Sequence, residues 1–237
     1  NRFTFPMKAI QINAYGGAEV LDVNENAADP IPQKNQLLIE AYAASINPVD
    51  IAIRAGFLQK IAPLPFPITM GGDFAGVVKE IGEGVADINV GDEVYGQAIV
   101  LNGGSGTFAE LMVTNSTNTS LKPKTTSFEQ AAALPLAGVS AVQAIEDHIK
   151  LQSGQKILIH GGAGGIGHMA IQLAKKVGAY VTTTVSGDDF DFVKQLGADE
   201  VIDYKTQRFE ELVHGVDAVL DNVGGEVTHK SFHVLKH

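Results

Sequence analysis

The stretch Lys156–Ala174, KILIHGGAGGIGHMAIQLA, changes its apolar period in mid-course and decides the fold of the second half of the chain. Residues 157–159 form a continuous apolar run, which is typical of a buried strand. Beyond the glycines, apolar side chains recur at helical spacing. The pattern predicts a strand at 156–160, a glycine turn, and a helix at 166–177.

The turn contains the spacing Gly162-x-Gly164-x-x-Gly167. In a dinucleotide-binding turn, Gly162 would form the tight turn, Gly164 would let a pyrophosphate approach the backbone, and Gly167 would let the helix pack closely on the strand. The helix N-terminus would point at the anion. A lone motif of this kind can be only a tight connection, but a strand before it and a helix after it favour a dinucleotide site. The expected cofactor contacts in this loop are Gly162, Ala163, Gly164, Gly165, Ile166 and Gly167.

The residue after the next predicted strand, 180–185, bears on the choice between NAD and NADP. NAD-binding proteins keep an acidic residue there for the ribose 2′-hydroxyl, and this chain has Ser186. A carboxylate would repel a 2′-phosphate, so the serine favours NADP(H). Asp188 and Asp189 follow where a cation would be expected, and no Arg or Lys occurs before Lys194. Lys205, at the end of the next predicted strand, could supply that charge. The alternative is that Ser186 is an ordinary polar loop residue.

Composition narrows the function classes. The chain has 237 residues, 45% of them hydrophobic, and a formal net charge of -10, which argues against nucleic acid or an anionic membrane as a partner. Neither a membrane-length apolar run nor a signal-peptide pattern is present, so a cytoplasmic location is expected. Cysteine is absent, which excludes disulfides, thiolate metal ligands and a thiol nucleophile.

The first half of the chain has many short strand patterns, such as 7–12, 36–45, 73–81 and 107–114. These patterns predict a small barrel-like β domain over residues 1–122. After the polar run 114–120, helical periodicity begins, with segments at 128–133 and 139–149.

Residues 123–237 are expected to form the second domain. Strands and helices alternate there, which predicts an α/β fold with a parallel sheet and its ligand at the carboxyl ends of the strands. Only four of the usual six strands are visible, so we expect a further C-terminal part to complete the sheet. The predicted strands are 156–160, 180–185, 200–204 and 216–221.

Several motifs occur in a fixed order along the chain: NPVDIAIRAG (47–56), GGDFAGVVKEIGEGVADINVGDEVYG (71–96), GTFAELMV (106–113), LAGVSAVQAI (136–145), HGGAGGIG (160–167), GADEVIDY (197–204) and DAVLDNVGG (217–225). Together they resemble the medium-chain dehydrogenase/reductase superfamily, and within it the zinc-independent quinone oxidoreductase group. The resemblance implies a GroES-like catalytic domain on a Rossmann domain, with NADP(H) in the cleft between them and a possible homodimer.

Zinc-dependent members of that superfamily have a cysteine where this chain has Asn47 and a histidine where it has Gly72. A catalytic zinc needs about three protein donors, so the chain is expected to be zinc-free. Without zinc or a Tyr-x-x-x-Lys pair, an alkoxide has no stabilising group. Hydride addition to a quinone or enone instead delocalises the charge, so modest hydrogen bonding suffices.

The resulting hypothesis is an NADPH-dependent reductase of quinones or similar conjugated carbonyls, which are small-molecule substrates. Two alternatives stay open. One is an enone or enoyl reductase of the same superfamily, and the other is a catalytically silent NADPH-binding structural or sensor protein.

Three residues are candidates for the catalytic side. Asn47 would face substrate or nicotinamide, with an Asx turn before Pro48 as the alternative. Asp50 would orient that loop, although a helix-start carboxylate is the plainer explanation. Ser140 resembles a hydroxyl position near the nicotinamide, with simple helix packing as the alternative.

Tyr204 and Asn222, at the ends of the third and fourth predicted strands, are candidate contacts on the adenosine side. His160 and His168 flank the glycine loop and are assigned no chemistry. His229, His233 and His237 recur every four residues, which would suit a metal on one helical face, but a solvated stripe is the favoured interpretation.

Overall fold

The computed structural model describes residues 6–236, which form two compact units, unit 1 up to Leu136 and unit 2 from Ala137. Unit 1 contains a five-stranded antiparallel sheet in the order β7-β3-β5-β6-β8 and a three-stranded sheet in the order β2-β1-β4. The strands are β1 (Met7–Ile12), β2 (Leu21–Ala27), β3 (Gln36–Ser45), β4 (Ile68–Thr69), β5 (Asp73–Ile81), β6 (Glu93–Gln97), β7 (Leu111–Asn115) and β8 (Thr119–Leu121).

The larger sheet has one buried apolar face. Alternate side chains of its strands, including Leu37, Ile39, Phe74, Val94 and Met112, are fully buried in one cluster.

One predicted strand of unit 1 is shorter in the structure. The segment 107–114 was expected to be a single strand, but β7 begins only at Leu111. Phe108 lies before it, where its carbonyl accepts from the Ile10 N–H at 2.8 Å and its own N–H donates to Met70 at 2.9 Å. Phe108 therefore pairs with β1 and with the residue after β4, whereas β7 pairs with β3.

From residue 6 onward, unit 1 contains the α-helices α1 (Pro48–Arg54) and α2 (Phe128–Ala132), and α3 (Pro135–Val142) begins at its end and continues into unit 2. The sequence places the domain boundary between residues 122 and 123, whereas the contacts divide the chain after Leu136. Residues 123–136 go with unit 1 because Ala131 and Ala132 of α2 pack against Ala75 of β5.

Unit 2 contains a four-stranded sheet that is entirely parallel, as predicted. Its order is β11-β10-β9-β12, so the chain moves outward from β9 in one direction and then crosses to the other side for β12. Ligands of such sheets bind at this reversal, beyond the carboxyl ends of the strands. The elements are β9 (Lys156–His160), β10 (Tyr180–Val185), β11 (Glu200–Asp203) and β12 (Ala218–Asp221), with α3 (Pro135–Val142), α4 (Gly165–Val177), α5 (Phe190–Gln195), α6 (Phe209–Leu212) and α7 (Glu226–Ser231).

Both faces of β9 are covered, as a central parallel strand requires. Ile157 and Ile159 lie in one buried cluster with Ala170 of α4, and Leu158 lies in another with Phe209 of α6. The continuous apolar run of β9 thus results from burial on two sides.

The helix predicted at 139–149 is not a single α-helix. α3 ends at Val142 and continues as a π-helix, Gln143–Ile149, which Lys150 terminates with φ 55°. Within residues 6–236, no helix is both long enough and apolar enough to cross a membrane.

Candidate active site

The glycine turn after β9 differs in one detail from the expectation. The residue with positive φ is Gly161, at 67°, one position before the motif, and Gly162 has no positive φ. Gly162 is required for a different reason, because a Cβ there would overlap the Thr183 hydroxyl. At Gly167 a Cβ would overlap the Gly161 carbonyl oxygen, so a side chain there would push α4 away from the turn.

The N-terminus of α4 is open to an anion. Gly164 is the N-cap and supplies no side-chain cap, and Gly164 and Gly165 are both exposed. Within the described part of the chain, the Gly165 and Ile166 N–H groups have no acceptor. Uncapped N–H groups at a helix start bind phosphate well, so the turn fits the pyrophosphate of a dinucleotide.

A cavity of about 550 Å³ lies at the carboxyl ends of the parallel strands. Of the residues that the sequence assigned to the cofactor, Tyr204 lines this cavity, and none of Gly162–Gly167 does. Gly161, the residue before the motif, also lines it. Its charged groups pair with one another, because Lys230 contacts Glu210 at 3.2 Å and Glu226 at 2.9 Å, and Arg208 contacts Glu210 at 3.2 Å. The lining residues are His160, Gly161, Thr184, Tyr204, Gln207, Arg208, Phe209, Glu210, Val223, Glu226, Val227 and Lys230.

His160, at the end of β9, is 1% exposed and bonded on both ring nitrogens. Nδ1 lies 3.0 Å from Thr184 Oγ1 and Nε2 lies 3.1 Å from Ser231 Oγ. Phe209 packs edge-on against the ring at 4.5 Å. Burial lowers the pKa of His160, and the Asp221 carboxylate opposes this shift. No pattern in the sequence indicated that Thr184 and Ser231 meet at this ring.

The surroundings of Ser186 are acidic. Its hydroxyl donates to Asp189 Oδ2 at 2.8 Å, and a Cβ on the neighbouring Gly187 would lie 3.3 Å from Asp203 Oδ2. The ammonium group of Lys205 has no partner among residues 6–236, although its backbone N–H donates to Asp203 Oδ1 at 2.9 Å. Lys205 therefore remains available to a 2′-phosphate.

Asn222 has a structural contact. Its Nδ2 donates to the His160 carbonyl oxygen at 3.0 Å and so joins the loop after β12 to the end of β9. Its role toward adenosine stays a prediction.

In unit 1, Asn47 is the N-cap of α1 and is held by two buried carboxylates. Its backbone N–H donates to Asp50 Oδ2 at 2.7 Å, and its Nδ2 donates to Asp73 Oδ2 at 2.9 Å and to Ser45 Oγ at 3.2 Å. The amide oxygen faces the Asp50 N–H, which itself donates to the Asn47 carbonyl oxygen at 3.0 Å. Both amide protons of Asn47 are therefore committed within the protein.

Asp73 is 1% exposed and accepts hydrogen bonds on both oxygens. Besides Asn47, Ser45 donates to Oδ2 at 3.2 Å, the Leu136 N–H donates to Oδ2 at 3.0 Å, and Gln97 donates to Oδ1 at 2.9 Å. The sequence placed no candidate at this position.

Asp50 is 4% exposed, and its Oδ1 has no hydrogen-bond partner in the described chain. Burial raises its pKa, the hydrogen bond from Asn47 N–H opposes the rise, and the charge of Asp73 adds to it. Gly72 lies beside it, with its Cβ position 3.7 Å from Asp50 Oδ1. No cluster of three or more His, Cys, Asp or Glu residues that could hold a metal occurs within residues 6–236.

Ser140 lies half-buried on α3. Ala137, three residues earlier and on the same helical face, is 3.7 Å from the Cβ position of Gly165, so α3 passes beside the start of α4. The histidine stripe does not form, because α7 ends at Ser231, before His233, and His237 lies outside the described residues.

Comparison with protein families gives two matches. Residues 33–124 match the alcohol dehydrogenase GroES-like domain, and residues 165–237 match the zinc-binding dehydrogenase family. A curated relative, 2-methylene-furan-3-one reductase from Solanum lycopersicum, is 42% identical over 92% of the chain and 57% of the relative. The chain spans about three-fifths of the length of the first curated relatives it matches.

Two solved structures are similar throughout the chain. A quinone oxidoreductase from Coxiella burnetii is 40% identical, with a TM-score of 0.89 over 97% of this chain and 73% of that one. The mycobacterial protein Rv1454c, solved in complex with NADPH, is 31% identical, with a TM-score of 0.86 over 97% of this chain and 71% of that one.

Proposed function

The chain belongs to the medium-chain dehydrogenase/reductase superfamily, in its quinone oxidoreductase group, and from this premise we propose that it transfers hydride from NADPH to a quinone or similar conjugated carbonyl without zinc. One observation carries the nucleotide half of the proposal. The exposed, uncapped start of α4 follows β9 at the strand-order reversal between β9 and β12, and Gly161, at the beginning of the same turn, lines the cavity together with Tyr204.

Bound NADPH would supply the hydride from C4 of its nicotinamide, and the protein would orient it and exclude water. The loop Gly162–Gly167 would hold the pyrophosphate through backbone N–H groups. Tyr204, 61% exposed at the cavity, would contact the adenosine half. Ser140 on α3, Asn47 and Asp50 remain proposals for the nicotinamide and substrate side.

The proposed class of hydride acceptor is based on two residues of unit 1. Asn47 and Gly72 occupy the positions where zinc-dependent relatives have ligands, and neither is a cysteine or histidine. Because both amide protons of Asn47 are committed to Ser45 and Asp73, it offers no donor to an alkoxide. A conjugated acceptor spreads the incoming charge and needs less stabilisation, which favours quinones and enones.

The proposal also includes a preference for NADPH over NADH. Ser186 has no carboxylate of its own to repel a 2′-phosphate, and Lys205 is available to pair with one. The hydrogen bond from Ser186 to Asp189 opposes this preference, because it holds a negative charge beside the same position. NADPH in the similar Rv1454c structure supports the choice.

A second candidate is an enone reductase of the same superfamily. It is favoured by the similarity to a 2-methylene-furan-3-one reductase, whose named substrate is a conjugated ketone. The two candidates share the cofactor site and differ only in the acceptor.

Stopped-flow oxidation of NADPH by the full chain against a panel of quinones, enones and saturated ketones tests the proposal. We expect turnover with conjugated acceptors alone, and the fastest class separates the two candidates. A lack of turnover with every conjugated acceptor would refute the proposed activity. A homodimer and a cytoplasmic location also belong to the proposal, and light scattering and cell fractionation test them.

A further inference from the structure

We propose that His160 is a positioning residue for the dinucleotide turn, and that Ser231 on α7 holds it in the tautomer with the proton on Nε2. This inference rests on the proposed nucleotide site, because the turn in question is the one assigned to the pyrophosphate. The four polar groups that carry it come from the ends of two strands, from the turn and from α7.

The direction of each hydrogen bond follows from Ser231. Its hydroxyl has one proton, which is donated to the Val227 carbonyl oxygen at 2.7 Å. At the 3.1 Å contact with His160, Ser231 Oγ can therefore only accept, so Nε2 of the ring carries a proton. Burial favours the neutral ring, which has one proton, and Nδ1 is then an acceptor.

Thr184 completes the chain of bonds. Its hydroxyl donates to the bare Nδ1 of His160 at 3.0 Å, and the same oxygen accepts from the Gly161 N–H at 3.3 Å. The Thr184 carbonyl oxygen accepts from the Gly162 N–H at 3.1 Å. Thr184 therefore holds both glycines that open the turn, and His160 fixes the rotation of its hydroxyl.

The other tautomer would reverse this arrangement. A proton on Nδ1 would make Thr184 Oγ1 accept from both the ring and the Gly161 N–H, and the Thr184 hydroxyl proton would lose the ring acceptor that fixes its rotation. Gly161 has positive φ, and its carbonyl oxygen accepts from the Gly164 N–H at 3.0 Å, so a shift there reaches the start of α4. Ser231 is thus linked to Gly161 through three hydrogen bonds, and a fourth, from the Gly164 N–H, connects Gly161 to the start of α4.

A buried histidine that is hydrogen-bonded on both ring nitrogens can have a role in packing alone. The tautomer of His160 and the affinity for NADPH distinguish that role from positioning of the turn. Packing predicts that variants lose stability while the folded fraction binds NADPH normally. Positioning predicts a change of tautomer together with a loss of NADPH affinity, and recovery wherever the hydroxyl is kept.

The experiment uses the full chain labelled with ¹⁵N-histidine. In the wild type we expect the NMR signals of a neutral His160 with the proton on Nε2. In Ser231→Ala we expect the proton to move to Nδ1. We also expect the Kd for NADPH, measured by titration, to rise about fivefold, which corresponds to the loss of one neutral hydrogen bond. Ser153→Ala, at an exposed serine at the opposite end of the sheet, is the matched control and should change neither quantity.

Thr184→Val and Thr184→Ser keep the test decisive if Ser231→Ala folds poorly. Valine keeps the shape without the hydroxyl and should weaken NADPH binding, and serine should restore it. A wild-type proton on Nδ1, or folded Ser231→Ala and Thr184→Val proteins that bind NADPH like the wild type, would overturn the inference. If these shifts in Kd occur but no quinone is reduced, the proposed activity fails and the inference stands. A wild type without NADPH affinity would refute both.

Discussion

The side-chain amide of Asn47 donates a hydrogen bond of 2.9 Å to Asp73, and a carboxylate cannot donate one in return. Since the second amide proton goes to Ser45, the amide has one possible orientation, with its nitrogen inward. Any ligand contact by this side chain must therefore use its oxygen. Such a group can accept from a ribose hydroxyl or a carboxamide, but it cannot donate to a quinone oxygen.

The first prediction concerns this pair. Asn47→Asp places a second carboxylate against Asp73, which is 1% exposed, and should lower the free energy of unfolding by about 3 kcal/mol. The swapped double variant Asn47→Asp with Asp73→Asn restores one donor and one acceptor. The free energy of unfolding of this double variant should be at least about 1 kcal/mol higher than the summed effects of the two single substitutions predict. Urea denaturation measures all four proteins, and simple additivity would contradict the contact.

A second prediction compares two glycines of the turn. A Cβ at Gly167 overlaps the Gly161 carbonyl oxygen, whereas a Cβ at Gly165 meets Ala137 at an ordinary 3.7 Å. Gly167→Ala should cost about 2 kcal/mol of stability and weaken NADPH binding, because α4 must move. Gly165→Ala is the matched control and should be neutral or slightly stabilising. Equal thermal denaturation midpoints for the two variants would show that α4 does not pack as described.

The third prediction concerns the 2′-phosphate. Lys205→Ala removes the ammonium group that lacks a protein partner, so NADPH affinity should fall about fivefold, or about 1 kcal/mol, while NADH affinity stays the same. Lys194→Ala removes a positive charge from α5 and serves as the control. Titration with both nucleotides gives the ratio. An equal loss for NADPH and NADH would rule out Lys205 as the phosphate contact.

The fourth prediction concerns pH. Burial lowers the pKa of His160 from its ordinary 6.5, so the unfolded chain binds a proton in a range where the folded chain does not. Stability therefore falls as the pH drops below 6.5, by up to about 1.4 kcal/mol per pH unit from this residue. Below the folded pKa both states are protonated and this contribution stops growing.

The variant His160→Asn should show a shallower loss of stability between pH 6.5 and 5, whatever its stability at neutral pH. Urea denaturation at several pH values measures the two slopes. Identical slopes would mean that His160 is protonated in the folded protein as readily as in the unfolded one.

Local patterns predicted much of unit 2. β9 and β10 have the predicted bounds, because apolar periodicity is a property of neighbouring residues. Tyr204 and Gly161, the residue before the glycine motif, line one cavity because parallel strands end at the same edge of a sheet, which is a rule of topology.

Long-range contacts were not predictable in this way. His160 meets Ser231 across 71 positions, and Asn47 meets Asp73 across 26, and no spacing in the sequence indicates either pair. The positive φ of Gly161 was missed because the motif assigns the turn to Gly162. These residues position the candidate site, and their contacts are seen only in the folded structure.

The most direct test of the central claim is a single turnover with NADPH that carries deuterium at C4, after the full chain has been dialysed against a chelator. We predict that deuterium appears on carbon in the reduced enone, and that saturated ketones gain none. Quinones, whose reduced hydroxyl groups exchange deuterium with water, are followed by NADPH oxidation, which should have the same rate with and without the chelator. Loss of turnover on chelation with recovery on adding zinc, or transfer to saturated ketones alone, would contradict hydride transfer to a conjugated acceptor without metal.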